Sequence, residues 1–475
     1  MNLSNIIQTF RTIGLQSTII FLCISLSNCG GTDPEPLEAD FTWNPSYVGT
    51  GQTVVFSNSS TGNPTEFSWS FEGGSPETSD QESPSVEFPD PGTYEVTLTV
   101  SNGKASATTS KMVIVICTQN FCKDIDAKFT ASNAFPKPDE EVQFTDQSIG
   151  VPTTWEWTFE GGTPAISTVQ NPVVTYAQPG FYKVTLKSSK EGSNDTEIKE
   201  NFITVGCNGA FCNPLFSSSI KTSDVVYGID VDQHLMNVFE PTGDESTSRP
   251  LVILFGGGAF NGSNLTLLEP VAQKLTNYGF VVAAARYRNG PSNEGTQNFI
   301  RGNQDVSAAV RYFRKEAEQW GINPNSIYVG GNGTGAFLAL NHSYLDANEL
   351  SGDLLSLVNS MGGLEGAQGN DGYSSEASGC ISLAGGIYST LNIIKSDDVP
   401  LFAVHGTADS EVPIGTTPSN PPLHGAIPVT DKTKSVGLLT YLYKVEGGGH
   451  DAPRSSPNLY IKQLITWQHL VMNEQ

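Results

Sequence analysis

Two rhythms of hydrophobic and polar residues divide the chain. From about residue 38 to 206, apolar residues alternate with polar ones in short runs such as Tyr94, Val96, Leu98 and Val100, broken at close intervals by Pro, Gly, Asn and Ser. A period of two puts alternate side chains on opposite faces of a strand, so this part predicts antiparallel β-sandwiches. From about Phe216 to Gln475, fully apolar runs such as Leu251-Val252-Ile253-Leu254 and Leu401-Phe402-Ala403-Val404 alternate with helical stripes such as Val306, Ala309, Val310, Phe313 and Ala317. Runs without alternation suit strands covered on both faces, and their succession with helices predicts a mostly parallel, doubly wound sheet. Asp305 is expected in the first turn of the helix bearing that stripe, as a partner of the helix dipole and of an arginine.

The sandwich part is an internal repeat. Phe67-Ser68-Trp69-Ser70-Phe71-Glu72-Gly73-Gly74 recurs as Trp155-Glu156-Trp157-Thr158-Phe159-Glu160-Gly161-Gly162, and Pro91-Gly92-Thr93-Tyr94 recurs at the same offset as Pro179-Gly180-Phe181-Tyr182. These turns and strands resemble the PKD domain, with Glu-Gly-Gly where that family's turn reads Gly-Asp-Gly. The resemblance implies two all-β modules, 38–116 and 125–206, acting as extracellular spacers that in some members help bind polysaccharide. Trp155 and Trp157 share a strand face, which reads as core or, in the alternative, as an exposed glycan platform.

The start of the chain changes the setting. Arg11, an apolar segment from Ile13 to Leu26, and Leu26-Ser27-Asn28-Cys29 read as an export signal over 1–28. The last four residues resemble a bacterial lipobox, which implies a lipid on Cys29, a tether over 29–37 and a membrane partner, the outer membrane and cell surface being the expected place. A plain signal with a chance cysteine is the alternative. In an exported chain, Cys117 with Cys122 and Cys207 with Cys212, both C-x4-C, read as two local disulfides in the linkers 117–124 and 207–215; a shared zinc is the rival reading. The 49 acidic against 25 basic residues give a net charge of −24, which argues against a nucleic-acid partner. Nothing in the sequence calls for a cofactor or a metal, and oligomeric state is not readable from it.

The chemistry lies in 216–475. Phe255-Gly256-Gly257-Gly258 follows an apolar strand, and glycines at a strand's carboxyl end let backbone N–H groups face a developing oxyanion. Ile327-Tyr328-Val329 runs into closely spaced glycines and then a small-residue helix, the anatomy of a nucleophile elbow flanked by Gly331 and Gly335. The apex is Gly333, where a serine belongs. His405-Gly406-Thr407-Ala408-Asp409 and Glu446-Gly447-Gly448-Gly449-His450 close two later strands. In this order the motifs resemble the esterase and lipase branch of the α/β-hydrolase fold, Phe255 replacing a histidine. The resemblance implies that Gly257, Gly258 and Thr334 supply oxyanion amides, that Asp409 is the triad acid and that His450 is the general base. The Thr334 side chain is expected to enter the helix and point away, and the other histidines are expected to be structural or solvated. The segments 352–379 and 413–428 are expected to border the site, the first as a lid or a long loop.

Three functions remain open. The chain is an esterase-type domain for carboxylic-ester or polysaccharide-linked ligands, impaired by Gly333; or a weak, noncovalent carboxylesterase working through Asp409 and His450; or an adhesive, carbohydrate-binding surface protein.

Overall fold

The computed structural model describes residues 36–116, 124–190, 192–260, 264–391, 393 and 398–474. The export signal, Cys29, Cys117 and Cys122 lie outside the described residues. The chain divides at residue 124 into two units.

The first unit holds a sandwich of a three-stranded and a five-stranded sheet. Alternation works as the pattern predicts: along Glu66–Phe71, Trp69 and Phe71 are buried while Ser68 and Ser70 face out. Trp69 stacks on Phe71 and meets the Phe41 ring edge-on at 5.1 Å, and its indole N–H donates to the Gln81 carbonyl.

The second unit opens with the other sandwich, two four-stranded sheets around Phe129, Phe144, Trp157 and Phe159. Trp155 shares the face of Trp157, packs against the same core and donates its indole N–H to Asp146 at 2.8 Å.

The rest of this unit is an α/β domain. Its strands are β1 (Ser219–Val226), β2 (Leu235–Pro241), β3 (Arg249–Phe255), β4 (Val281–Ala285), β5 (Ile322–Asn332), β6 (Gly379–Leu383), β7 (Leu401–Gly406) and β8 (Thr440–Val445). They form one eight-stranded sheet in the order β1-β2-β4-β3-β5-β6-β7-β8, with β1 and β2 antiparallel and every pair from β4 to β8 parallel. The helices are α1 (Glu269–Thr276), α2 (Gly295–Lys315), α3 (Thr334–Tyr344), α4 (Gly352–Ser360), α5 (Ala426–Ser435), α6 (Ala452–Ser455) and α7 (Ile461–Glu474).

Strand β3 shows why the run Leu251 to Leu254 lacks alternation. Leu251 and Ile253 pack with α2, α3 and α5, while Val252 and Leu254 pack with α1 and α7. Both faces are covered, so both must be apolar.

One expectation is corrected here. Helix α2 begins at Gly295, so Asp305 lies inside it and not in its first turn. The early turns carry Asn298, Asn303 and Gln304, polar yet buried, and these hide the stripe from a hydropathy reading. Asp305 is an ion-pair residue: fully buried, its Oδ1 accepts from Arg288 Nε at 2.8 Å and from His234 Nε2 at 3.0 Å, and its Oδ2 from the Arg288 backbone N–H at 2.6 Å. The dipole role fails; the arginine partner is present.

The second sandwich packs on the α/β domain. The Phe181 ring lies 4.3 Å from that of Tyr441 at the start of β8, and the Lys462 ammonium sits over the Phe135 ring. The intervening 207–215 is more than a connector: Cys207 and Cys212 form a disulfide, Cys207 is buried in the core beneath α1 and α7, and Phe211 packs on Phe280 just before β4. The Phe181–Tyr441 and Phe211–Phe280 contacts meet the amino-terminal ends of parallel strands.

Candidate active site

The site forms at the opposite, carboxyl ends of the strands. Strand β5 turns sharply into α3, and a Cβ at either Gly331 or Gly335 would overlap the Phe255 carbonyl oxygen of the neighbouring strand. Gly333, between them, has φ 55° and ψ −114°. This is a backbone state that a residue with a side chain adopts only under strain.

His450 and Asp409 come together at this apex. The imidazole Nδ1 lies 2.9 Å from Asp409 Oδ2, and Asp409 Oδ1 accepts from the backbone N–H groups of Glu411 and Val412 at 2.9 and 3.0 Å. The carboxylate is thereby fixed on one oxygen while the other holds the imidazole. The ring's Nε2 then faces Gly333 so closely that a Cβ built there would lie 2.8 Å from it.

Across the apex lies the loop after β3. The built Gly333 Cβ is 4.0 Å from Gly257 Cα. Gly258, Ala259 and Phe260 follow with φ of 139°, 49° and 61°. Two successive non-glycine residues in the left-handed region mark stored strain, of the kind found where backbone amides are aimed at a ligand. Thr334 is the first residue of α3, so its N–H has no partner within the helix.

The Thr334 side chain differs from expectation. It turns back toward the loop, its Oγ1 accepting from the Ala259 N–H at 2.9 Å, and so ties the glycine loop to the elbow. His405 is structural, as expected of the other histidines. It is buried beside the acid, with Nε2 donating to the Val412 carbonyl at 2.7 Å and lying 3.4 Å from Asp409 Oδ2. His234 is buried on Asp305, and His342 is held between Ser307 and the Ser375 carbonyl. The His405–Asp409 spacing of four residues was the available signal for the first of these, but strand ends do not bring such pairs together as helices do.

Two cavities meet at the apex. The larger, about 1060 Å³, is walled by Phe299, Phe337, Leu350, Leu354, Leu357 and Leu423. The smaller, about 460 Å³, lies against the glycine loop, His450, Glu411 and Arg454. Helix α4 gives the segment 352–379 its role as one wall of the larger cavity, and Pro421 and Leu423 bring in the Pro-rich segment. Among the described residues, Cys207, Cys212 and His469 cluster in a way that could hold a metal ion, but the two sulfurs are joined as a disulfide.

Burial pushes the imidazoles of His342 and His405 below the ordinary histidine value of 6.5. A histidine that stays neutral longer when folded leaves the unfolded chain binding more protons as the pH drops. Stability is therefore full above about 6.5 and lost as the pH falls through the lower folded values. The urea midpoint of the α/β domain is expected to decrease from pH 7 to pH 5, and His342→Gln to flatten that decrease; a midpoint rising toward pH 5 contradicts it.

Comparisons with known proteins agree with this architecture. Residues 39–115 and 127–205 match the PKD domain, and residues 236–364 match BD-FAE. The chain thus carries two PKD domains followed by an esterase-like α/β-hydrolase domain. The BD-FAE match includes the glycine loop and the elbow; Asp409 and His450 lie beyond it. No curated protein matches the chain. Similar solved structures include the esterase Est2 of the planctomycete Thermogutta terrifontis, in its native form (18% identity, 54% of this chain and 92% of that one, TM-score 0.41). The butyrate-bound form of the same enzyme is 19% identical over 53% of this chain and 93% of that one, with a TM-score of 0.41.

Proposed function

We propose that the C-terminal domain binds carboxylic esters, including ones linked to polysaccharide, in an esterase-type site whose covalent chemistry is disabled. The observation that carries this reading is Gly333: it stands at the apex, faces the Nε2 of a histidine paired to a buried aspartate, and offers no hydroxyl. In this reading Gly257, Gly258 and Thr334 hold the ester carbonyl oxygen through their amides, and His450 with Asp409 faces the scissile bond. The export signal and lipidated Cys29 would hold the chain at the outer membrane, with the PKD domains between lipid and site.

A second reading has one observation in its favour. The Asp409–His450 pair is intact and opens onto the smaller cavity, so it is placed to activate a water for direct attack on the carbonyl.

The test is treatment with a fluorophosphonate, followed by intact-mass measurement, alongside p-nitrophenyl acetate turnover. The native chain is expected to acquire no covalent adduct, and an adduct overturns the first reading. Turnover above the buffer rate that disappears in His450→Ala selects the second reading; equal rates in the two proteins exclude it.

A further inference from the structure

The two cavities share Ala259, Gly333, Thr334 and Val412, but His450 lines only the smaller one. This asymmetry assigns the two arms of an ester, given the esterase reading above, on which the inference rests. In ester hydrolysis the acyl–oxygen bond breaks, and water supplies the hydroxyl of the acid and the proton of the alcohol. The departing oxygen takes its proton from the imidazole Nε2, so the alcohol arm must lie on the histidine's side of the carbonyl carbon. The carbonyl oxygen turns toward the glycine loop, which also borders the smaller cavity. The one direction left for the acyl arm is the larger cavity.

We propose that the site takes an ester with a medium-length aliphatic acyl arm and a polar, uncharged alcohol arm. The larger cavity, at about 1060 Å³, far exceeds an acetyl group, and its wall from Leu345 to Leu357 presents the aliphatic side chains Leu345, Leu350, Leu354 and Leu357. Its charged lining residues, Glu349 and Asp353, are both acidic, so a chain ending in a carboxylate is repelled. The smaller cavity offers Asn264, Glu411, Asp451 and Arg454 as hydrogen-bonding groups. There Arg454 is paired to Asp451 at 2.6 Å, which offsets its charge and favours hydroxyls over an anion.

Two isomers, ethyl octanoate and octyl acetate, carry the same atoms with the long chain on opposite sides of the ester. With the Gly333→Ser chain, ethyl octanoate is expected to give a kcat/KM at least about tenfold above octyl acetate. Equal or reversed rates, with p-nitrophenyl acetate still cleaved, overturn the assignment while leaving the esterase reading intact. Failure on every ester, p-nitrophenyl acetate included, counts instead against that reading. A measurement on the native serine-free chain is independent of turnover. Ethyl octanoate is expected to displace the neutral dye N-phenyl-1-naphthylamine, and Leu357→Trp, which fills the larger cavity, to weaken that displacement about tenfold or more. Displacement unchanged by Leu357→Trp overturns the proposal.

Discussion

The Gly333→Ser chain is expected to hydrolyse p-nitrophenyl acetate at least about a thousandfold faster than the native chain, against a ceiling of about a millionfold set by what loss of a nucleophilic serine removes elsewhere. The proposed acid, base and oxyanion loop all stand around position 333. The acid is fixed by two backbone N–H groups, the imidazole is held at 2.9 Å, and the glycine loop stands across the apex. The gain is held below the ceiling by geometry. A Cβ at position 333 would lie 2.8 Å from His450 Nε2, closer than a carbon and a ring nitrogen rest, so the imidazole must withdraw by a few tenths of an ångström against its tether to Asp409. The same variant is expected to be less stable than the native chain by about 1–3 kcal/mol, because a serine must accept the φ of 55° that glycine takes without strain. Ester turnover and urea unfolding measured on one preparation check both halves. A serine variant with no turnover and no loss of stability would mean that position 333 is not the apex of an elbow.

Asp305→Ala is expected to lower the stability of the α/β domain by about 3–5 kcal/mol, the range for removing one partner from a buried ionic pair. The carboxylate is fully buried and accepts three hydrogen bonds, two of them from Arg288. Its loss leaves Arg288 Nε, the Arg288 backbone N–H and His234 Nε2 without their acceptor. Arg288 also donates to the Arg301 carbonyl and Gln304 Oε1, so the chain after β4 loosens from α2 as well. Asp305→Asn retains an acceptor and falls between the native chain and the alanine variant. Among the described residues only the α/β domain contains α-helix, so the helical circular-dichroism signal in urea follows this transition by itself. A change below about 1 kcal/mol would show that the network adds nothing net, as many ion pairs do.

The sequence showed its local chemistry well and its long-range packing poorly. The elbow, the glycine loop, Asp409 and His450 each sit where a strand ends, so an apolar run followed by glycine, aspartate or histidine was enough to find them. Their approach to within hydrogen-bond reach depends on strand order, which the runs alone do not encode. A hydropathy stripe starts helix α2 too late, because Asn298 and Gln304 are buried through hydrogen bonds and such a stripe counts them as exposed. The turn of Thr334 toward Ala259 was missed because that loop is remote in sequence from the helix. The cavities are more remote still: the larger one draws its walls from segments between residues 259 and 423.

The docking of the second PKD domain bears on how the site responds to traction. Phe181 and the disulfide-pinned segment grip the α/β domain at Tyr441 and Phe280, where parallel strands begin. The glycine loop, the elbow and the Asp409–His450 pair lie at the far ends of those strands, off the load path. A force that entered through the second PKD domain would therefore meet the sheet at the ends remote from the imidazole and the apex.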